Sequence, residues 1–117
     1  RNVKEHATDF AEAIASAASK ANQKTYRHPT NDHHIVAQTS SKASVARTIY
    51  EKTFGTGQIN NSRNIVTIRT SLHVHLHSDL YYKSVNRIMQ AADNSGSVSS
   101  ALKMMKGALK AISNICP

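Results

Sequence analysis

Apolar residues recur every three or four positions at the start of the chain, which predicts an amphipathic helix from Val3 to about Asn22. The stretch is also rich in alanine, a strong helix former. A loop should follow, because Pro29 disfavours the helical conformation at His28. The next segment, HHIVA at 33–37, is short, partly β-branched and bounded by polar residues, so it predicts a strand.

The middle of the chain alternates between helical and extended patterns. Segment 40–55 begins with serine, carries apolar residues at helical spacing and ends at a glycine, so it predicts a second helix. Segment 65–69, IVTIR, is β-branched and predicts a second strand. The chain then turns helical at Thr70 or Ser71, either of which is a good cap, and we expect this helix to continue to about Ala92.

The end of the chain predicts one more helix. DNSGS at 93–97 interrupts the preceding pattern, and a stripe of apolar residues follows that should pack against the first helix. The stripe consists of Val98, Leu102, Met105, Leu109 and Ile112. This order of elements indicates an α+β fold that is mostly α, with one short antiparallel hairpin. At 117 residues the chain is expected to form a single domain.

The charge of the chain is strongly basic. There are 15 lysines and arginines against 7 acidic residues. After Lys52 only Asp79 and Asp93 are acidic, and seven residues are basic. A polyanionic partner is therefore indicated, nucleic acid first and anionic lipid second, although a basic surface that only confers solubility is the alternative.

The remaining composition excludes several classes of protein. Cys116 is the single cysteine, which excludes an internal disulfide framework and a cysteine-based zinc site. The sequence contains neither an apolar run of membrane-spanning length nor a signal peptide. Because the chain begins at Arg1 rather than at methionine, we expect it to be the C-terminal part of a longer protein.

Two histidines near the start of the third predicted helix are spaced for metal binding. On such a helix His73 and His77 are four residues apart and share a face, whereas His75 points the other way. Apolar residues on the same arc, namely Leu80, Tyr81, Val85 and Ile88, predict that this face is turned to the interior. A metal would satisfy two buried imidazoles. Hydrogen bonds from both rings to the backbone are the alternative.

Two further histidines, His33 and His34, are neighbours on the first predicted strand. Successive side chains of a strand point to opposite sides, so one ring can be a metal ligand while the other stands clear of the metal. Three ligands would leave open coordination positions, which is the pattern of a catalytic site, and a free imidazole is a candidate general base. Asn64, just before the second strand, can pin the backbone that presents this pair. Ordinary surface histidines and an ordinary turn asparagine are the alternatives.

The ordered combination of these motifs resembles a known family. DHHIV at 32–36, NSRNIVTI at 61–68 and TSLHVHLHSDLYY at 70–82 are similar to the HNH/endonuclease VII superfamily, whose shared core is the ββα-metal finger. The closest resemblance is to its AHH branch, found among C-terminal toxin domains of bacterial polymorphic toxins. The similarity covers about 32–85 and includes the family's spacing between the asparagine and the two helical histidines.

The resemblance implies a role for each matched residue. It implies that His33 is the metal ligand on the strand and His34 the general base that activates water. It implies that Asn64 fixes the hairpin and helps to orient that base, and that His73 and His77 are the remaining ligands. The domain would comprise an N-terminal helix and loop (1–31), a ββα-metal core with an inserted helix (32–92) and a C-terminal helix (93–117).

Two features depart from the family pattern. Asp32 stands where the AHH motif expects alanine, at a position that is not a metal ligand in the family. His75 offers a second helical register that is incompatible with the pair formed by His73 and His77. The interior-facing arc favours His73 and His77.

The resemblance also implies a metal-dependent endonuclease that hydrolyses phosphodiester bonds, with DNA preferred to RNA. One divalent ion, zinc, nickel, cobalt, manganese or magnesium, would suffice. Aromatic residues make up 5% of the chain and show no base-reading motif, so cleavage should tolerate many sequences. The expected phosphate contacts are Arg47, Arg63 and Arg69, with Lys42 and Lys83 as further candidates.

As a toxin domain, the protein would be secreted or delivered from the producing bacterium and would act in the cytoplasm of the target cell. A cognate immunity protein, expected to be acidic, would protect the producer. Two other hypotheses stay open from the residues alone. One is a basic module that binds nucleic acid or metal without catalysis, and the other is a structural helical domain with incidental histidines.

Overall fold

A computed structural model describes residues 2–21 and 28–117. Among these residues there are five α-helices and one two-stranded antiparallel sheet, which confirms the α+β, mostly α fold. In chain order the elements are α1 (Val3–Ser19), β1 (Thr30–His34), α2 (Ser44–Phe54), β2 (Ile65–Arg69), α3 (Thr70–His73), α4 (Asp79–Ser95) and α5 (Val98–Ser113). The predicted end of the first helix, Asn22, lies outside the described residues, and α1 ends at Ser19.

The first strand lies earlier than the sequence predicted. It pairs with β2 antiparallel, with His33 opposite Val66 and His34 opposite Ile65. Beyond His34 the chain leaves the strand, so the predicted boundaries 33–37 were wrong. Ile35 and Val36 are apolar because they enter the core, where both are almost completely buried, and not because they extend the strand.

The third predicted helix is interrupted, so the continuous helix over 70–92 was also wrong. α3 is a single turn that ends at His73, and α4 begins at Asp79. The break is stabilised by Ser78, whose hydroxyl accepts a hydrogen bond from the backbone N–H of Tyr81 and caps α4. A serine followed by an acidic residue is a helix-start signal, here in the middle of a helical pattern.

The core lies where α1 and α5 pack together and α4 packs against both. The stripe predicted on α5 is confirmed, because Val98, Leu102, Met105 and Leu109 are buried and Ile112 is half-buried. α5 also packs against β2, so the hairpin is backed by helices. No helix within 2–21 or 28–117 is both long and apolar enough to cross a membrane.

Candidate metal centre and active site

Three histidines from separate parts of the chain converge beside the hairpin. His33 comes from β1, His73 from the end of α3, and His77 from the connection between α3 and α4. One ring nitrogen of each lies within 4.8 Å of those of the other two. Their ring centroids are 5.2 Å (His33–His73), 6.0 Å (His33–His77) and 5.1 Å (His73–His77) apart. We refer to these residues as the histidine triad.

The path of the chain between α3 and α4 brings His77 to His73. The predicted reason, a four-residue step along one helix, was wrong, because His77 lies outside both helices. Leu72 and Leu76, each completely buried, fix this segment in the core on either side of His73. His75 is half-buried and is not part of the triad.

Burial and the repulsion between charged rings keep two members of the triad, His33 and His73, uncharged. His33 is 2% exposed, and burial, followed by the charges of His73 and His77, lowers its pKa from the ordinary 6.5 to about 3. Burial and the charge of His77 also lower the pKa of His73. At neutral pH His33 and His73 are therefore neutral, which is the form of histidine that binds a metal ion.

Two tyrosines at the start of α4 contact the triad. The hydroxyl of Tyr81 lies 2.8 Å from Nε2 of His33, and that of Tyr82 lies 3.0 Å from Nδ1 of His77. The Tyr81 ring also packs against Phe10 of α1, with centroids 5.7 Å apart, so the triad rests on the core. From the sequence, Tyr81 was assigned only to an apolar helix face, and Tyr82 received no role. No sequence signal distinguished them from core residues.

Asn64 joins the two strands where β1 ends and β2 begins. It is completely buried, and its amide oxygen accepts from the backbone N–H of Val36 at 2.8 Å. Its amide nitrogen donates to the carbonyl oxygens of Val36 at 3.0 Å and Ile59 at 2.9 Å. These bonds satisfy the side chain in the interior and hold the exit of β1 in place.

His34 follows His33 on β1 and is half-buried. Its Nε2 is 2.7 Å from Oδ1 of Asn60. Asn60 is thus the side chain that contacts the ring of His34. From the sequence, the orientation of this ring had been assigned to Asn64, four residues later. Asn60 lies in a loop dense in glycine and asparagine, and that composition gave no reason to prefer it.

A cavity of about 380 Å³ unites these groups. It is lined by the triad, His34, both tyrosines, Asp32 and the loop 37–40 that follows the strand exit. Three imidazole nitrogen donors fit a transition metal such as zinc and leave coordination positions for water and a substrate oxygen. The geometry therefore suits hydrolysis at a metal-bound substrate.

Asp32 lies on the exposed edge of β1. Its carboxylate accepts a hydrogen bond from the hydroxyl of Thr67 at 2.8 Å, across the hairpin. This contact ties Asp32 to the neighbouring strand, and the carboxylate is not part of the triad.

The three arginines predicted to contact phosphate each contact other groups of the protein in the described chain. Arg47 donates through one nitrogen to the carbonyl oxygens of Ala37 and Ser40, at 2.9 Å each, and so supports the loop beside the cavity. Arg69 donates to the carbonyl oxygen of Cys116 at 3.0 Å. The guanidinium of Arg63 lies over a ring, 4.4 Å from the Phe54 centroid. None of the three lines the histidine cavity.

The two candidate lysines lie beside the site. Lys42 and Lys83 line a second cavity of about 320 Å³ together with Asp79 and Tyr82. Tyr82 also lines the histidine cavity, so the two cavities adjoin. Lys42 forms an exposed ion pair with Asp79, and such a surface pair contributes little to stability.

Comparison with family models identifies the chain as a nuclease of the HNH/ENDO VII superfamily. More narrowly, the model of the AHH family, a nuclease family of that superfamily with conserved AHH, matches residues 14–115, and the chain belongs to this family. Neither the curated proteins nor the solved structures yielded a significant match.

Proposed function

We propose that this chain is a metal-dependent endonuclease that hydrolyses phosphodiester bonds of DNA with little sequence specificity, and that it acts as an antibacterial toxin. The main observation in support of the proposed catalytic activity is one shared cavity. It contains three histidines whose nitrogens lie within 4.8 Å of one another and a fourth, His34, that stands apart from them. This arrangement supports the assignment of three histidines as metal ligands and of the fourth as a base.

In this proposal His33, His73 and His77 hold one divalent ion. When bound, the ion would polarise a phosphate oxygen and stabilise the charge that develops on the leaving oxygen. Three imidazoles suit zinc, nickel or cobalt, and manganese or magnesium would draw on additional oxygen ligands. The neutral state of the buried His33 supports this role, since a protonated ring cannot bind a cation.

His34 is the proposed general base. The amide oxygen of Asn60 can only accept a hydrogen bond, so Nε2 of His34 is the donor in their 2.7 Å contact. Nδ1 then carries the free lone pair and can take the proton from an attacking water. Asn60 is thus a positioning residue that fixes the tautomer of the base. Asn64 supports the same ring indirectly, through the backbone at the strand exit.

The substrate strand is proposed to enter along the lysine-lined cavity. Lys42 and Lys83 would contact phosphates on one side of the scissile bond, with Tyr82 between them and the triad. Lysine binds the backbone without reading bases, which supports sequence-tolerant cleavage. Arg47, Arg63 and Arg69 remain candidates for contacts farther along the strand. The preference for DNA over RNA rests on the resemblance to the superfamily alone.

The toxin role rests on the resemblance to toxin domains and on the charge of the chain. A domain of this kind would be delivered from the producing bacterium and would act in the cytoplasm of a target cell. A formal net charge of +8 favours an acidic immunity protein as the cognate partner. Such a partner would protect the producer by covering the basic surface or the cavity.

Incubation of the purified chain with supercoiled plasmid and with total RNA tests the proposal. The assay would include a series of divalent metals, a chelator and the His34→Ala variant. We expect metal-dependent nicking of plasmid that the chelator abolishes and the variant lacks. Cleavage of RNA alone would contradict the DNA preference. Metal-dependent binding without cleavage of either substrate would favour a non-catalytic binding module.

A further inference from the structure

The hydroxyl of Tyr81 is placed between two hydrogen-bonding groups in the interior. It lies 2.8 Å from Nε2 of His33 and 3.1 Å from the carbonyl oxygen of Ile35. Tyr81 is 1% exposed, so water does not compete for either contact. Packing against Phe10 fixes the position of the ring.

A count of hydrogens settles the direction of both bonds. A neutral phenol has one hydrogen to donate, and a carbonyl oxygen can only accept. Tyr81 therefore donates to Ile35, and its oxygen can only accept from His33. The hydrogen of the neutral His33 ring is thus on Nε2, and its lone pair is on Nδ1.

We propose that Tyr81 is a positioning residue that holds His33 in the Nε2–H tautomer, so that Nδ1 is the atom offered to the metal. This proposal rests on the proposed function for the metal itself, but the tautomer is a property of the metal-free chain. A hydrogen bond to the other ring nitrogen orients a ligating histidine and raises its basicity. Here the carbonyl of Ile35, just beyond β1, accepts the hydrogen of Tyr81, so that the tyrosine oxygen can only accept from Nε2 of His33.

Tyr82 provides an internal comparison. Its hydroxyl lies 3.0 Å from Nδ1 of His77, but among the described residues no second hydrogen bond directs its hydrogen. Tyr82 can therefore donate to His77 or accept from it, and it adapts to either tautomer. Removal of the Tyr82 hydroxyl should disturb the site less than removal of the Tyr81 hydroxyl.

The test begins with the tautomer in the metal-free chain. Long-range proton–nitrogen correlation spectra of the ¹⁵N-labelled protein distinguish the two ring nitrogens, and His33→Gln assigns the His33 signals. We expect one fixed Nε2–H tautomer for His33 in the parent, and averaged or displaced nitrogen shifts in Tyr81→Phe. A parent spectrum with the hydrogen on Nδ1 of His33 would overturn the proposal.

Metal affinity gives a second readout that does not depend on cleavage. A zinc titration monitored by calorimetry should show that Tyr81→Phe binds zinc about tenfold to a hundredfold more weakly than the parent. Tyr50→Phe is the matched control, because it removes another buried tyrosine hydroxyl that donates to a carbonyl, that of Gln58, and neither residue lines the histidine cavity. Circular dichroism and thermal melting of both variants separate a local effect from unfolding.

The outcomes distinguish this proposal from the function on which it rests. Parental zinc affinity in a folded Tyr81→Phe chain would overturn the positioning role while leaving the metal site intact. A parent that shows the Nε2–H tautomer but binds no zinc, nickel, cobalt or manganese would instead overturn the proposed function, and with it the ligand role of Nδ1.

Discussion

His34 and Asn60 lie 26 residues apart in the sequence, yet Nε2 of the histidine is 2.7 Å from the amide oxygen of the asparagine. Asn64, from the same loop, reaches the backbone on the other side of the strand exit. The loop that returns to β2 thus supplies two asparagines with separate tasks. One orients the proposed base, and the other holds the backbone that carries it.

Asn60→Ala should lower the cleavage rate by about tenfold or more with metal content unchanged, because His34 loses the acceptor that fixes its tautomer. Asn60→Asp keeps an acceptor but adds a negative charge, which stabilises the protonated imidazole and so opposes its action as a base. Asn60→Asp should therefore also cleave more slowly than the parent at neutral pH. Asn114→Ala, an exposed asparagine at the end of α5, is the control. Parental kinetics in both Asn60 variants would contradict the positioning role.

His34→Ala should retain the metal, the fold and the affinity for DNA while losing about a hundredfold to ten-thousandfold in cleavage rate. The reason is that the variant removes proton abstraction and leaves the triad in place. Single-turnover cleavage with metal content measured in the same sample checks this. If the variant cleaves plasmid at the parental rate, the base lies elsewhere.

His73→Ala and His77→Ala should each lower metal content and activity together, since each removes one of three nitrogen donors. His75→Ala is the matched control, because His75 lies between the two in sequence and outside the triad. Elemental analysis after gel filtration and plasmid nicking give the two readouts. Loss of metal in His75→Ala alone would show that the ligand set is wrong.

The metal-free chain should lose stability as it is acidified from neutral pH. Burial lowers the pKa of His33 from 6.5 to about 3 in the folded chain, and between these values acid protonates the unfolded chain but not the folded one. Above pH 6.5 the His33 ring is neutral in both states and the free energy of unfolding is not reduced by this group. As the pH falls from 6.5 toward 3, the free energy of unfolding decreases by up to about 1.4 kcal/mol per pH unit.

Urea unfolding with a chelator present, at a series of pH values, measures this dependence. His33→Gln should flatten the curve, because the titrating ring is gone. His75→Ala should leave it unchanged. A stability that does not vary between neutral pH and pH 5 would contradict the prediction.

Binding to duplex DNA should weaken steeply as salt rises and should differ little between unrelated sequences, because phosphate contacts release counterions. Lys83→Ala should weaken binding and reduce the salt slope by about one. Lys103→Ala, on the exposed face of α5, removes the same charge away from the cavities and is the control. Fluorescence anisotropy at several salt concentrations measures the slope. Equal slopes in all three proteins would place the substrate path elsewhere.

Periodicity was enough to predict most of the fold. Each of three elements was predicted from a pattern only a few residues long. These patterns are the apolar stripe of α5, the β-branched run of β2 and the glycine that ends α2. The end of β1 was less predictable, because Ile35 and Val36 are apolar in a way that suits both a strand and a core-entering loop. Only tertiary packing distinguishes the two.

The sequence predicted which histidines form the triad, but not the backbone geometry that brings them together. The order of the histidines along the chain identified His33, His73 and His77, but the helix proposed to present two of them is broken by Ser78. The supporting residues Asn60 and Tyr81 escaped prediction for a different reason. Each acts across a long sequence separation, through one atom, and a single asparagine or tyrosine carries no local sign of a distant partner.

The bonds of Asn64 to Val36 close a loop across 28 positions, and we expect this closure to let the site tolerate changes in the length of the loop. The entropy of closing a flexible loop grows only slowly with its length, by about 0.6 kcal/mol for each doubling. The turn at Thr56 and Gly57 is exposed and lies within this loop, beyond the end of α2. A fluorescent tag or a short peptide inserted at this turn would therefore enlarge the loop without moving the histidines, which gives the enzyme an attachment point for labels.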